Sequence, residues 1–143
     1  MNRKWLFPAV LLCCLWADAL PAATGSRAPF RPAVEGGGLL FLSGQLGETP
    51  PGQDPDGPGF EAAVHDAMDS LGRVLAANGR DFGDVVKCTV MLKDMSKWDR
   101  FNDVYVRYFA VGKLPARSAF GGVMLAMNAP LEVECVATVR DRR

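Results

Sequence analysis

Residues 85–94 read "VVKCTVMLKD". Apolar and polar side chains alternate through this stretch, the period-two signature of a strand whose two faces meet different surroundings. Val86, Cys88, Val90 and Leu92 are expected on one face, with Val85, Lys87, Thr89 and Met91 on the other. The first set suits a core, and the second is mixed enough to meet something other than plain solvent. A strand of this kind needs a covering layer, so the neighbouring sequence has to supply one.

It does so on both sides. Upstream, Phe60, Val64, Met68, Leu71 and Leu75 recur at spacings of three and four, an apolar stripe on a helix over Phe60–Ala77 that stops at Asn78-Gly79. Downstream, a second helix over about Ser96–Phe109 presents Trp98, Phe101, Tyr105 and Tyr108. Further out lie a strand bounded by glycines (Leu39–Gln45), a short strand over Ala116–Val123 introduced by Pro115, and a last strand over Leu131–Val139. "GETPPGQDPDGPG" before the first helix has the composition of a flexible loop, and "TGSRAPFRPAVEGG" reads as a partly extended lead-in. The order strand, helix, strand, helix, strand, strand predicts an α+β domain: one mixed sheet with two helices on one face.

The other face is then uncovered. Leu40 and Leu42 of the first strand and Leu131, Val133, Cys135 and Ala137 of the last are expected toward the helices. Leu39, Phe41, Ser43, Glu132, Glu134, Val136 and Thr138 are expected away from them. That outer face is too apolar to stay in water, so the pattern predicts a homo-oligomer.

The chain has 143 residues, 49% hydrophobic, enough for one domain with a real core. Its 16 basic and 16 acidic side chains balance, and no basic run provides a footprint for nucleic acid. Residues 1–23 are set apart: a basic start (Arg3, Lys4), an apolar stretch from Trp5 to Trp16, and small residues at Ala17-Asp18-Ala19 that fit a cleavage site, with a second candidate cut near Ala23. The apolar run is short for a membrane span, so a secretory signal is expected, leaving residues 24–143 as a soluble exported domain, secreted or periplasmic. Cys13 and Cys14 would leave with it. Cys88 and Cys135 remain in a compartment that permits disulfides. If the last strand lies beside the central one, both point to the same helix-covered face, but cross-strand geometry is demanding, and two separate buried thiols are the expectation. Neither has metal-ligand spacing, and the sole histidine, His65, has no companion, so no metal site is expected.

Arg117 opens a strand that carries few other charges. Counted onto the outer face with Glu132 and Ser43, it would put a guanidinium and a carboxylate in one cleft at a subunit boundary. A planar guanidinium suits bidentate capture of a carboxylate, and a partly desolvated glutamate can activate water. On spacing alone, the simpler reading is an Arg–Glu bridge at such a boundary.

"LLFLSGQ", "GDVVKCTVMLKDM", "FNDVYVRYF", "PARSAF" and "LEVECVAT" occur in that order from about Pro29 to Thr138. In this the chain resembles the RidA-type (YjgF) family of reactive intermediate deaminases. The resemblance implies a chorismate-mutase-like fold and a homotrimer with clefts between subunits. It implies hydrolysis of 2-enamine or 2-imine acids to 2-keto acids and ammonia, with no metal or organic cofactor. Arg117 matches the arginine that grips the substrate carboxylate, and Glu132 the glutamate that places the water. Ser43, Gly44 and Asn102 match residues that line or shape the cleft. Phe30 stands where the family usually has tyrosine, keeping the ring without the hydroxyl. Ala119 stands where cysteine is frequent, at a position that contributes its carbonyl. The more apolar pocket also fits a larger, aromatic or cyclic imine. A non-catalytic protein that holds keto acids in the same cleft is the alternative, and the ribonuclease activity of some relatives finds little support in the charge balance.

Overall fold

Residues 29–139 are described by the computed structural model. The signal segment therefore lies outside the described residues. The alternating stretch is β4 (Val85–Leu92), near the middle of one sheet. Around it lie β1 (Ala33–Gly36), β2 (Leu39–Leu42), β3 (Gln45–Gly47), β5 (Ala116–Gly121) and β6 (Leu131–Thr138). Their spatial order is β1-β2-β6-β4-β5, with β3 continuing the line of β2 beside β6. All neighbours are antiparallel except β4 and β5, which are parallel. A parallel pair requires a crossover, and α2 (Trp98–Tyr105) supplies it. The longer α1 (Pro58–Ala77) connects β3 to β4 on the same face. The mixed sheet with two helices agrees with the sequence reading.

The helix stripe is the centre of the core. Phe60, Val64, Met68, Leu71 and Leu75 of α1 are fully buried against Val90, Leu92, Leu131, Val133 and Ala137 of the sheet. Pro58 occupies the first turn of α1, where its missing N–H costs nothing. At the other end Gly79 adopts φ +68°, the Arg80 N–H donates to the Leu75 carbonyl and the Gly79 N–H to that of Ala76. This left-handed glycine stop matches the Asn78-Gly79 signal.

Three local expectations change. Val85, not Val86, faces the core, because a bulge between Val85 and Lys87 shifts the register against β6 and inverts the alternation of the first two residues. The strand read as Leu39–Gln45 breaks at Ser43-Gly44 into β2 and β3. Cys88 and Cys135, expected as separate thiols, form a disulfide. They face each other in the β4–β6 register with Cα atoms 4.1 Å apart, the close spacing of a non-hydrogen-bonded antiparallel pair.

The 48–57 loop is also less free than its composition suggests. Arg100 of α2 donates to both carboxylate oxygens of Glu61 (2.6 Å each) and to the carbonyls of Asp56 and Gly57. The Arg100 guanidinium holds the Glu61 carboxyl below its ordinary range. Lys97 pairs with Asp56 and donates to the Pro55 carbonyl at 3.0 Å. Lys97, the residue before α2, and Arg100 in its first turn thus tie the loop down, while Trp98 and Tyr105 of the helix lie against Arg117 of β5.

Candidate functional site

Register fixes where Arg117 points. On β5 it pairs with Cys88, and Cys88 pairs with Cys135 on β6, so the three form one row across the sheet. Residues level with one another on neighbouring strands share a face, and Cys88 is buried under the helices. Arg117 is therefore on the helix side, not on the outer face where it was expected with Glu132 and Ser43. The reason is parity: alternation within β5 separates two faces, and only its register with β4 says which is which.

On that side α2 receives it. Trp98, Phe101 and Tyr105, spaced three and four apart, lie along one stripe of the helix. The guanidinium carbon is 4.5 Å from the centre of the Trp98 ring, 4.7 Å from Tyr105 and 5.9 Å from Phe101. The cation rests in a saddle of rings, an attractive arrangement because each ring face is electron-rich. It makes no hydrogen bond or ion pair to any described residue. Two more polar atoms on α2 are buried without a partner, the Tyr105 hydroxyl and Asn102 Oδ1. Burial pushes the Tyr105 hydroxyl up to about 12, against the opposing charge of Arg117, so it stays protonated at neutral pH. Ala119, two residues beyond Arg117, is half-buried on the same side.

Glu132 occupies a different place. Its row on the outer face runs Phe120, Met91, Glu132, Leu46 across β5, β4, β6 and β3. These neighbours strip water from the carboxylate, and Glu134, two residues on, adds like charge. Burial first and Glu134 second raise the Glu132 carboxyl above its ordinary range. The break between β2 and β3 lies against it: a Cβ on Gly44 would collide with Glu132 Oε1 and stand 2.8 Å from Cδ. Absence of a side chain at residue 44 is what lets the carboxylate lie across the kink. Ser43 anchors the lead-in there, its hydroxyl donating to the Arg31 carbonyl at 2.6 Å and its N–H to that of Pro32 at 2.9 Å. Phe30, just before that anchor in the chain, is 61% exposed. Gln45 Nε2 donates to the carbonyls of Ser43 and Gly44 and closes the kink.

The seven residues singled out in the sequence thus fall into two groups. Arg117, Ala119 and Asn102 belong to β5 and α2. Ser43, Gly44, Phe30 and Glu132 belong to the kink and the outer face of β6. One chain does not bring the groups together. Sequence reading placed Trp98 and Tyr105 on the second helix without linking them to Arg117, which they contact. The signal was available in their shared stripe on the helix leading into β5.

The outer face is strongly apolar in the single chain, with Phe41 48% and Phe120 47% exposed and Val86 and Val34 similarly open. Among the described residues no group of three His, Cys, Asp or Glu side chains is arranged to hold a metal ion.

Comparison with known proteins follows the same lines. A family model described as Endoribonuclease L-PSP matches residues 20–139. Reactive Intermediate Deaminase A, chloroplastic, of Arabidopsis thaliana is 36% identical over 122 residues, which are 85% of this chain and 63% of that protein. A 2-iminobutanoate/2-iminopropanoate deaminase of Mus musculus is 37% identical over 117 residues, 82% of this chain and 84% of the mouse protein. The crystal structure of yeast Mmf1 superposes with a TM-score of 0.70 at 28% identity, covering 80% of this chain and 90% of that one.

Proposed function

The chain belongs to the Endoribonuclease L-PSP (RidA/YjgF) family, and from that premise we propose that it is a deaminase that hydrolyses reactive 2-imino acids, and their enamine tautomers, to 2-keto acids and ammonia. The curated relatives named above as deaminases support the reaction class. The observation that carries it to this chain is Arg117: a guanidinium braced by rings, with its N–H edge uncommitted, matched to a planar carboxylate.

The chemistry then needs only water. With the carboxylate on Arg117, the adjacent imine carbon is the electrophile. Glu132, a stronger base than an ordinary carboxylate because of its surroundings, takes a proton from water as the oxygen adds to that carbon. Glu132 passes that proton to the imine nitrogen, giving a neutral carbinolamine; its carboxylate then takes the hydroxyl proton and delivers it to the nitrogen as the C–N bond breaks, so ammonia leaves and the C=O of the keto acid forms. Neither metal nor organic cofactor enters the balance.

The two groups of site residues meet in this reading across a boundary between copies, as a homotrimer with three such clefts. The apolar outer face gives the oligomer its driving force. Export to an oxidising compartment belongs to the same reading, supported by the composition of residues 1–23 and by the Cys88–Cys135 disulfide. RNA cleavage, the activity in the family's description, would call for a basic footprint that a formal net charge of zero does not favour.

The test is a coupled assay in which an amino-acid oxidase generates imines and keto-acid release is followed against semicarbazide trapping. Wild type is expected to accelerate hydrolysis. Arg117→Ala should lose at least about 100-fold in kcat/KM while keeping its assembly state. Failure to accelerate any imine, from a well-assembled protein, would leave a keto-acid binding protein as the reading.

A further inference from the structure

An arginine that binds a ligand through its N–H edge has to be held by something other than its N–H groups. Most binding arginines are oriented by a carboxylate or a carbonyl, which uses up donors. Arg117 has no such partner among the described residues, yet it is half-buried and close to three rings. We propose that Trp98 and Tyr105 are positioning residues for Arg117: their rings occupy the face of the guanidinium and leave its edge directed at the substrate carboxylate. The inference rests on the reading of Arg117 as a carboxylate clamp and adds the device that orients it.

The platform is rigid enough for the task. Trp98 stacks on Phe101 at 6.2 Å and 15°, Phe101 on Tyr105 at 5.4 Å and 28°, and Tyr105 meets Phe109 at 4.8 Å. Tyr105 is only 2% exposed and Phe101 is fully buried, so the rings under the cation are fixed by the core. Trp98 is partly buried against the same core. Arg100 and Lys97 tie the start of the same helix to the 48–57 loop. A planar cation stacked on a ring keeps its in-plane donors free for a planar anion, which an ammonium on the same rings could not offer.

A face-on brace acts on carboxylate binding, and the carboxylate keeps its charge throughout the reaction. Its loss should therefore appear in KM and in product affinity rather than in kcat. Trp98→Leu keeps an apolar side chain and removes the ring. It is expected to weaken 2-ketobutyrate binding, read by calorimetry, by about tenfold, and to raise KM for the corresponding imine by a similar factor with kcat within about twofold. Trp98→Phe should bring both back to within about threefold of wild type. Of the three tryptophans, Trp5 and Trp16 lie in the segment read as a signal, so in protein comprising residues 24–143 the emission comes from Trp98 and gives an independent signal. Titration with 2-hydroxybutyrate, which does not absorb, should shift that emission in wild type and leave it unchanged in Arg117→Ala.

Affinity and KM unaltered in Trp98→Leu would overturn the inference, as would a loss that Trp98→Phe does not restore. If Trp98→Leu does not fold, as judged by its melting curve, the emission titration decides, and a wild-type signal indifferent to saturating ligand rejects the stack. A wild type that binds 2-ketobutyrate without hastening imine hydrolysis would end the deaminase reading and leave this inference in place. Turnover by wild type with an equally good Trp98→Leu would do the reverse. A wild type that binds no carboxylate removes the clamp and the inference together.

Discussion

At residue 44 one methyl group is too many. Gly44 needs no unusual backbone angle, so its value lies in the space above its Cα, which the Glu132 carboxylate fills. Gly44→Ala would drive that carboxylate off the kink between β2 and β3 without touching Arg117 on the other side of the sheet. Misplacing a catalytic group by about an ångström costs on the order of 100-fold. The expected result for Gly44→Ala is a fall in kcat of about 10- to 100-fold with 2-ketobutyrate affinity kept, measured by the coupled assay beside calorimetry. Equal loss of both would mean that the kink itself had collapsed. That Arg117 and Glu132 are candidates for a clamp and a base was readable from the sequence, through their side-chain chemistry and the family motifs. Their placement was not. Alternation divides a strand into two faces but carries no sign, and for β5 the sign comes only from its pairing with β4.

The same limit operates on whole elements. The stripe on α1 was legible residue by residue, since a helix that covers a sheet needs apolar side chains at fixed spacing. The alternation of β6 was equally plain. What sequence could not supply was register, and register decided the cysteines. Cys88 and Cys135 were each readable as facing the helices, but whether they stand level depends on the register of β4 against β6, which no residue type announces. Being level, they join the two central strands over a separation of 47 residues. Cross-linking a loop of that size restricts the unfolded chain, so Cys88→Ala/Cys135→Ala is expected to lose about 2–4 kcal/mol of stability. Urea unfolding at equilibrium would read this, and mass analysis before and after reduction would give the bond directly. Free thiols in the native wild type would return the pair to the separate buried cysteines first expected.

At the scale of the whole molecule, the apolar outer face and the division of the site have one common explanation. Phe41 and Phe120 are about half exposed on a face that also holds Glu132, while Arg117 lies under the helices at the opposite edge. A second copy laid on the outer face would cover those rings and could carry its own Arg117 edge to the first copy's Glu132. An assembly of this kind makes a sharp genetic prediction. Arg117→Ala and Glu132→Gln should each be inactive alone, because every cleft lacks one partner. Unfolded together and refolded as a mixture, they should regain activity, since some clefts now take Arg117 from one variant and Glu132 from the other. With equal amounts and random assembly in a closed ring, about one cleft in four is complete, so up to about a quarter of wild-type activity is expected. Recovery should follow the product of the two variants' fractions and be greatest at equal mixing. A site built within a single chain predicts no recovery at any ratio, and that result, from mixtures that reassemble to the wild-type size, would overturn the shared cleft.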